Sequence, residues 1–247
     1  MLLIDCGNSA TKCRLMRAQK SLDQICVLST PSGERLFREF LLQYRPCDIY
    51  LSSVASAETT NRVLQEISQS LPNASITRLL TLAQAGRVRN AYQEYERLGV
   101  DRWLTLLAAE KYESADVVII DAGSAITIDL LSRSHSHLGG AILPGFNTQR
   151  QRFIDMFPSA DFTHPDIVNN DRPGRSTEAC IQMTHFPITS ERIHELLQSW
   201  ITLLEQPVKI LLCGQDAARI SEYLDLPHDI VPDLVFQGML QQIQLQR

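Results

Sequence analysis

Two aspartate-glycine turns are the residues of this sequence best suited to chemistry. The segment LLIDCGNSATKCRLM is matched by VIIDAGSAITIDLL, so that Asp5 aligns with Asp121 and Gly7 with Gly123. A glycine lets the backbone turn with positive φ and presents N–H groups to an anion without a side chain in the way. The carboxylate just before it would repel a phosphate unless a divalent cation lay between them. The paired turns therefore predict nucleotide phosphates with magnesium.

Lys12 and two polar residues add to the chemistry of the first turn. Asn8 and Ser9 can donate hydrogen bonds to phosphate oxygens, and Lys12 supplies a positive charge. A single turn of this kind also occurs in ordinary hairpins that use glycine for geometry alone. Because packing does not require the aspartate and the glycine to recur together, the repeat favours the functional interpretation. The common nucleotide loops GxxxxGK(S/T) and GxGxxG do not occur.

The segment GVDRW is a second candidate site. Gly99 precedes Asp101 and Arg102 at the predicted start of a helix, where an acidic residue also serves as an ordinary cap. An adjacent carboxylate and guanidinium can instead take the two ends of a small substrate, the carboxylate accepting a hydroxyl proton and the guanidinium binding an anion. Asn90 and Tyr92 come shortly before and either line the same wall or belong to an ordinary loop.

Glycines recur in the segment LGGAILPGF. Gly139, Gly140 and Gly145, with Pro144, surround a short apolar run. Such a pattern indicates that something approaches the backbone closely or that the chain bends sharply. Tight packing against the rest of the protein explains the pattern equally well.

The elements that must position these residues also repeat. Each half begins with a hairpin and a third strand and continues with helices and strands in alternation. Further strands are predicted from QICVLST, DIYLSSV, ASITRLL, SHLGGAIL and VKILLCG, and helices at 33–44, 58–70, 101–112, 216–223 and 233–246, with others between Pro144 and Leu204. The order predicts a mixed α/β fold of two domains, 1–114 and 115–247, bridged by the 101–112 helix, with both aspartate turns at a cleft between them. Residues 158–175 are polar and contain prolines, which predicts a loop or flap.

Composition excludes several classes of partner. The 247 residues carry a net charge of −5 with a pI near 5.7 and no run of basic residues, which argues against nucleic acid and anionic membranes. No apolar run approaches the ~18 residues of a membrane span. Six cysteines without a CxxC pair are typical of core or turn residues in a reducing cytosol. His135 and His137 would share one face of a strand, but no acidic or thiol ligand repeats with them, which disfavours a metal site.

Taken together, the motifs resemble a known family. DCGNSATK, GVDR, DAGSAIT, GGAILPG and LLCGQDA occur in the order and spacing of type III pantothenate kinase, a member of the acetate and sugar kinase/actin superfamily. The resemblance spans the chain, and GVDR between the two turns is its most specific part. It implies two duplicated actin-like, ribonuclease H-like domains with mixed sheets flanked by helices. It also implies ATP-dependent phosphorylation of pantothenate to 4'-phosphopantothenate, the first step towards coenzyme A, in a cytoplasmic homodimer.

The resemblance also implies roles for individual residues. Pantothenate is held by Tyr92, Gly99, Val100, Asp101, Arg102 and Thr177. The phosphates of ATP are held by Asp5, Cys6, Gly7, Asn8, Ser9, Ala10, Thr11, Lys12 and Ser124. Asp101 is the general base on the primary hydroxyl, Asp5 holds magnesium indirectly, and Asp121 binds potassium or ammonium. The two equivalent carboxylates then bind different ions.

Two motifs depart from the family pattern, and two other functions compete. Ser124 stands in place of a threonine and keeps the hydroxyl, whereas Cys213 and Gln215 stand where the family has TGG, which affects the adenosine side of the site. The alternatives are a kinase of the same superfamily for a sugar or other small hydroxy compound, and a regulatory accessory protein without catalysis. Asp5, Lys12, Asp101 and Arg102 argue against the latter, because a binding module needs no positioned base.

Overall fold

The computed structural model describes residues 1–17, 20–28, 30–112, 114–160, 173–204 and 208–246, with the backbone alone at 28, 182–188 and 203. The described chain forms two compact units. The first consists of Met1–Lys111, His135–Leu138 and Asp233–Arg247, and the second of Tyr112–Ser134 and Gly139–Pro232. None of the helices in the described part of the chain is long and apolar enough to cross a membrane.

The first unit is built on a five-stranded mixed sheet. Its elements are β1 (Leu2–Cys6), β2 (Ala10–Arg17), β3 (Lys20–Leu28), α1 (Pro31–Tyr44), β4 (Asp48–Ser53), α2 (Ala57–Ser70), β5 (Ser75–Arg78), the short hairpin β6 (Gln84–Ala85) and β7 (Val88–Arg89), and α3 (Val100–Ala109). The strand order is β3-β2-β1-β4-β5. β1 and β2 are antiparallel, whereas β1, β4 and β5 are parallel.

The second unit repeats this plan. Its elements are β8 (Asp116–Ala122), β9 (Ala125–Leu131), β10 (His137–Pro144), α4 (Phe146–Met156), α5 (Thr177–Leu203), β11 (Val208–Cys213), α6 (Ala217–Ser221) and β12 (His228–Ile230). The first two residues of β10 belong to the first unit. The order β10-β9-β8-β11-β12 is that of the first sheet. The predicted duplication, with a meander followed by parallel strands, is confirmed, and with it the mixed α/β fold class.

Strand alternation decides which face of each sheet carries the aspartate. Leu2, Ile4 and Cys6 of β1 point into the apolar core against α1 and α2. Successive side chains of a strand point to opposite faces, so Asp5 lies on the other face of the sheet from this core. β8 follows the same rule, because Val118, Ile120 and Ala122 pack into the core of the second unit with residues of α5 and α6, which leaves Asp121 on the opposite face.

Capping chemistry sets the starts of the first two helices. Thr30 accepts a hydrogen bond from the Gly33 N–H, and Pro31 takes the first helical position, so α1 begins two residues before the predicted glycine. Ser56 caps α2 in the same way through the N–H of Thr59. The hydroxyl caps therefore marked these boundaries better than the apolar periodicity did.

The last helix, α7 (Leu234–Leu245), lies in the first unit. The predicted division at residue 114 placed it in the second domain and made the 101–112 helix a bridge, whereas α3 ends at Ala109 and belongs wholly to the first unit. Gly238 of α7 explains the difference. A Cβ at Gly238 would come within 1.8 Å of the Leu104 carbonyl oxygen, so the two helix backbones touch. Trp103, Leu104 and Leu107 of α3 are fully buried, and the contact of α3 with α7 contributes to that burial.

The predicted loop or flap at 158–175 is described in part. Residues 158–160 and 173–175 belong to non-helical backbone, and Thr177 begins α5. Residues 161–172 lie outside the described residues, so the flap stays a prediction.

Candidate active site

The first turn surrounds Asp5 with a lysine and a serine. Lys12 lies directly opposite Asp5 on β2, and Ser52 lies directly beside it on β4. The Ser52 hydroxyl donates a hydrogen bond of 3.1 Å to Oδ1 of Asp5, and Ser52 is completely buried. The turn itself closes through a hydrogen bond of 3.0 Å from the Gly7 N–H to the Ala10 carbonyl. The sheet register therefore holds a carboxylate, an ammonium group and a hydroxyl on one face.

Asp5 has a strongly shifted pKa. The pKa of Asp5 is raised to about 6, mainly by burial and also by the negative charge of Asp101, while the positive charge of Lys12 and the hydrogen bond from Ser52 act in the opposite direction. The effect of Asp101 on the pKa places the two carboxylates in one electrostatic environment. Strongly perturbed carboxyl groups of this kind are concentrated at functional sites.

The carboxylate of Asp101 is fixed at the start of α3. Its Oδ1 accepts a hydrogen bond of 2.8 Å from the N–H of Arg102. A Cβ at Gly99, the N-cap residue, would lie 2.6 Å from the same oxygen. The glycine therefore provides the space that this carboxylate occupies. Asp101 is therefore not the N-cap residue but an acidic residue in the first turn that accepts a backbone N–H, and it also lies in the electrostatic environment of Asp5.

Tyr92 and Arg102 form one group beside this helix start. The Arg102 Nη1 donates a hydrogen bond of 3.1 Å to the Tyr92 hydroxyl, and the guanidinium carbon lies 5.8 Å from the centre of the Tyr92 ring. Arg102 is 6% exposed, so its charge is held in a largely buried position. Asn90 uses its side-chain oxygen to accept the Tyr92 N–H at 3.0 Å. The loop role of Asn90 is therefore the one that the geometry shows.

The start of α4 packs against the second turn and donates hydrogen bonds to it. Gly145 N–H donates to the Ser124 carbonyl at 3.0 Å, and the Thr148 hydroxyl donates to the same oxygen at 2.6 Å. A Cβ at Gly145 would lie 2.1 Å from the Gly123 carbonyl oxygen. The close backbone approach predicted from LGGAILPGF thus occurs at Gly145, where α4 begins directly against the turn.

Gly214 packs against the aspartate of the second turn. It has a φ of +88°, and a Cβ there would lie 2.4 Å from the Ala122 carbonyl oxygen and 2.5 Å from Oδ1 of Asp121. Gln215 follows in an exposed position. The glycine that the geometry demands is therefore present, and the departures at Cys213 and Gln215 leave this backbone contact intact.

One prediction about the turn glycines is wrong. Among the described residues, the glycines with positive φ are Gly86, Gly139 and Gly214, so neither Gly7 nor Gly123 has the positive φ that was predicted. Each turn closes through the glycine N–H, to Ala10 in the first and to Ala125 in the second. This closure does not need the left-handed region.

Comparison with known proteins decides the family. The model of the type III pantothenate kinase family matches residues 1–198. A type III pantothenate kinase of Pseudomonas aeruginosa (strain LESB58) is 30% identical over 252 residues, with 97% of each chain covered. One from Marinomonas sp. (strain MWYL1) is 29% identical over 243 residues, covering 96% of this chain and 92% of the relative. This chain belongs to the type III pantothenate kinase family.

A solved structure supports the fold of this family member. A Baf family transcriptional activator from Campylobacter jejuni matches with a TM-score of 0.60 and 24% identity, covering 99% of this chain and 98% of the other. At that identity the likeness shows the fold and nothing about activity. Membership of the family makes the chain a kinase, a transferase that uses ATP and a divalent metal ion on a small-molecule substrate.

The remaining predicted residues lie at definite places in this pantothenate kinase family member. Thr177 is the first residue of α5, is exposed, and follows the helix cap Ser176. Cys6, Cys13 and Cys213 are buried core residues and Cys47 lies in the bend before β4, as expected, whereas Cys26 on β3 and Cys180 on α5 are exposed residues of regular elements. Within the described ranges, no three His, Cys, Asp or Glu side chains form a metal-binding group.

Sequence reasoning missed two residues next to the predicted site. Ser52 was assigned to a strand, but its contact with Asp5 depends on the parallel register of β1 and β4, which no local pattern reveals. His137 was considered as a metal ligand, whereas its ring stacks on Tyr92. The sequence did contain an indication for Ser52. Polar residues follow the apolar part of the segment DIYLSS, and polar residues at the end of a strand are candidates for a functional site.

Proposed function

We propose that this family member phosphorylates pantothenate to 4'-phosphopantothenate with ATP, by direct in-line transfer of the γ-phosphoryl group. Family membership supports the reaction. The observation that supports the mechanism is the placement of Asp101, whose carboxylate is fixed by the Arg102 N–H and lies in the electrostatic environment of Asp5. In-line transfer needs positioning and charge neutralisation more than covalent help.

Asp101 accepts the proton of the attacking primary hydroxyl in this proposal. A carboxylate that is fixed at the start of a helix can be held within hydrogen-bond reach of a substrate hydroxyl, which suits a general base. The ammonium group of Lys12, together with the turn amides at residues 6–11, stabilises the negative charge that the γ-phosphoryl carries during transfer. Ser124 of the second turn contacts the phosphates as well.

The residues near Asp5 fit a bound magnesium ion. The negative charge of Asp101 raises the pKa of Asp5, and a divalent cation would offset the negative charge that the two carboxylates carry. Magnesium is usually held by one or two carboxylates with phosphate oxygens and water, so Asp5, acting directly or through water, suffices on the protein side. When bound, the ion neutralises charge on the transferring phosphates.

The second turn offers oxygen donors for a monovalent cation. Oδ1 of Asp121 and the carbonyl oxygen of Ala122 both lie close to Gly214. Oxygen donors of this kind suit potassium or ammonium. We propose that Asp121 holds this ion, which supplies positive charge near the second turn.

Pantothenate has an anionic end and a hydroxyl end, and the GVDR segment offers a group for each. The guanidinium of Arg102 binds the carboxylate, with the Tyr92 hydroxyl beside it. Gly99 and Val100 at the start of α3 also contact the substrate in this proposal, and Thr177 supplies a further contact. We also propose a cytoplasmic homodimer, as the resemblance to the family implies.

A substrate panel tests the function. ADP release from magnesium ATP is measured with pantothenate and with a set of sugars, each in potassium, ammonium and sodium buffers. We expect release that depends on pantothenate and on potassium or ammonium. Release with a sugar and not with pantothenate would favour the sugar-kinase alternative, and no release from folded protein would favour an accessory role. Equal rates in sodium would contradict the Asp121 cation site alone. Light scattering measures the dimer.

A further inference from the structure

The loop that carries Tyr92 is held in place by a histidine from a distant part of the chain. His137 is the first residue of β10 and is 4% exposed. Its Nδ1 accepts a hydrogen bond of 3.4 Å from the Ala91 N–H, across a separation of 46 residues. Its ring stacks on the Tyr92 ring, with a centroid distance of 6.1 Å and an interplanar angle of 16°. One side chain therefore contacts both the backbone and the ring of this loop.

Backbone pairing explains why the imidazole reaches this point. The Arg89 N–H donates to the His135 carbonyl at 2.9 Å, and Arg89 pairs with Ser136 as in a parallel ladder. The 135–138 segment therefore runs beside the end of β7, which puts His137 next to Ala91. Because Nδ1 accepts a hydrogen bond here, the ring carries its proton on Nε2 in this arrangement.

The contacts of Tyr92 continue to Arg102. The Tyr92 hydroxyl accepts the hydrogen bond from the guanidinium, so the orientation of the tyrosine ring sets where that charge is held. The chain that leads to Tyr92 is also held further back, at Arg87. Glu110 accepts hydrogen bonds of 3.0 Å from both the N–H and Nε of Arg87. Asn90 also contacts Tyr92 and is itself held by hydrogen bonds to the carbonyl oxygens of Ala83 and Leu82. His137 adds a contact from a distant part of the chain, both to the Ala91 backbone and to the Tyr92 ring itself.

We propose that His137 is a positioning residue that holds Tyr92, and through it Arg102, in the arrangement that binds the substrate anion. The proposal rests on the proposed function, because it takes Tyr92 and Arg102 as pantothenate contacts. His137 acts through the loop and not on the reacting atoms. Its loss should therefore weaken pantothenate binding more than ATP binding or turnover.

Three variants separate the contacts. His137→Leu removes both the acceptor and the aromatic ring, whereas His137→Asn keeps an acceptor oxygen near the position of Nδ1. His135→Asn is the matched control, since His135 is buried two residues earlier and has a φ of 62°, which asparagine tolerates. We expect His137→Leu to raise the KM for pantothenate about 10-fold, with the KM for ATP and kcat within about 2-fold. His137→Asn should recover most of the loss, and His135→Asn should resemble the wild type.

Amide hydrogen exchange at Ala91 tests the positioning without using activity. His137→Leu should exchange this amide about 10-fold faster than the wild type, and His137→Asn should keep the protection. Unchanged exchange in His137→Leu would overturn the proposal, as would equal rises in the KM for both substrates. If wild-type protein shows no pantothenate-dependent turnover, the proposed function fails, and the exchange result still decides whether His137 positions Tyr92.

Discussion

The two aspartate-glycine turns share a strand plan but differ in the residues paired with the aspartate. Asp5 lies between Lys12 and Ser52 in the register of its sheet. At the same two positions, Asp121 has Thr127 and Cys213. The first turn thus supplies its own positive charge, and the second has an uncharged pair. The two turns therefore share the backbone that presents a carboxylate, while the residues on the neighbouring strands determine which ion that carboxylate suits.

The second turn is the one against which other backbone segments pack more closely. The second turn has Gly145 and Gly214 pressed against it, each closer than a Cβ permits. At the first turn, a Cβ on Gly7 would meet the Ala10 carbonyl oxygen at 3.2 Å, a tight but not prohibitive contact. Charge is therefore concentrated at the first turn and close backbone packing at the second.

Replacing the cross-strand partners should give the largest difference between the turns. Lys12→Met removes the ammonium group that the first turn directs at the phosphates, so we expect kcat/KM to fall about 100-fold or more. Thr127→Val at the equivalent position of the second turn should stay within about 3-fold. Steady-state kinetics with pantothenate and ATP measure both. Equal losses in the two variants would show that the turns have the same role.

Adding a methyl group should cost more stability at the second turn than at the first. Gly214→Ala meets backbone oxygen at 2.4 Å in a left-handed conformation, so we expect it to lower the free energy of unfolding by about 2–3 kcal/mol. Gly7→Ala should cost about 1 kcal/mol or less. Urea denaturation measures both values, and a larger cost at Gly7 would contradict the difference in packing.

The raised pKa of Asp5 predicts a pH-dependent gain in stability for Asp5→Asn. Because the pKa of Asp5 is about 6 in the folded protein and 3.8 for an ordinary aspartate, the wild type loses stability as the pH rises from about 4 to about 6. The variant should therefore be more stable by about 1–3 kcal/mol at pH 8, with the advantage gone below pH 4. Thermal melts without added metal measure this. A variant less stable than the wild type at pH 8 would show that Lys12 and Ser52 outweigh burial.

Much of the fold could be predicted from the sequence repeat, because an apolar run ending in Asp-x-Gly indicates a strand followed by a tight turn. Both sheets accordingly have the predicted meander and parallel strands. The place of α7 was not readable. It depends on the contact between Gly238 and Leu104, which are far apart in the sequence, and local patterns carry no information about such pairings.

The candidate site divides in the same way. Asp5, Lys12, Asp101 and Arg102 are identified by motifs, and the structure holds them in one unit. Ser52 and His137 contribute through strand register and through a segment that runs beside β7. Sequence patterns therefore identified the groups that do chemistry, and tertiary pairing identified the groups that hold them.

Replacement of Asp101 tests whether this residue is the general base for phosphoryl transfer to pantothenate. Formation of 4'-phosphopantothenate is measured by mass spectrometry for the wild type and for Asp101→Asn, with ATP binding measured by calorimetry on the same preparations. We predict that Asp101→Asn folds and binds ATP as the wild type does, but forms product about 100-fold more slowly or less. Wild-type rates of product formation in a folded Asp101→Asn variant would remove Asp101 from the mechanism.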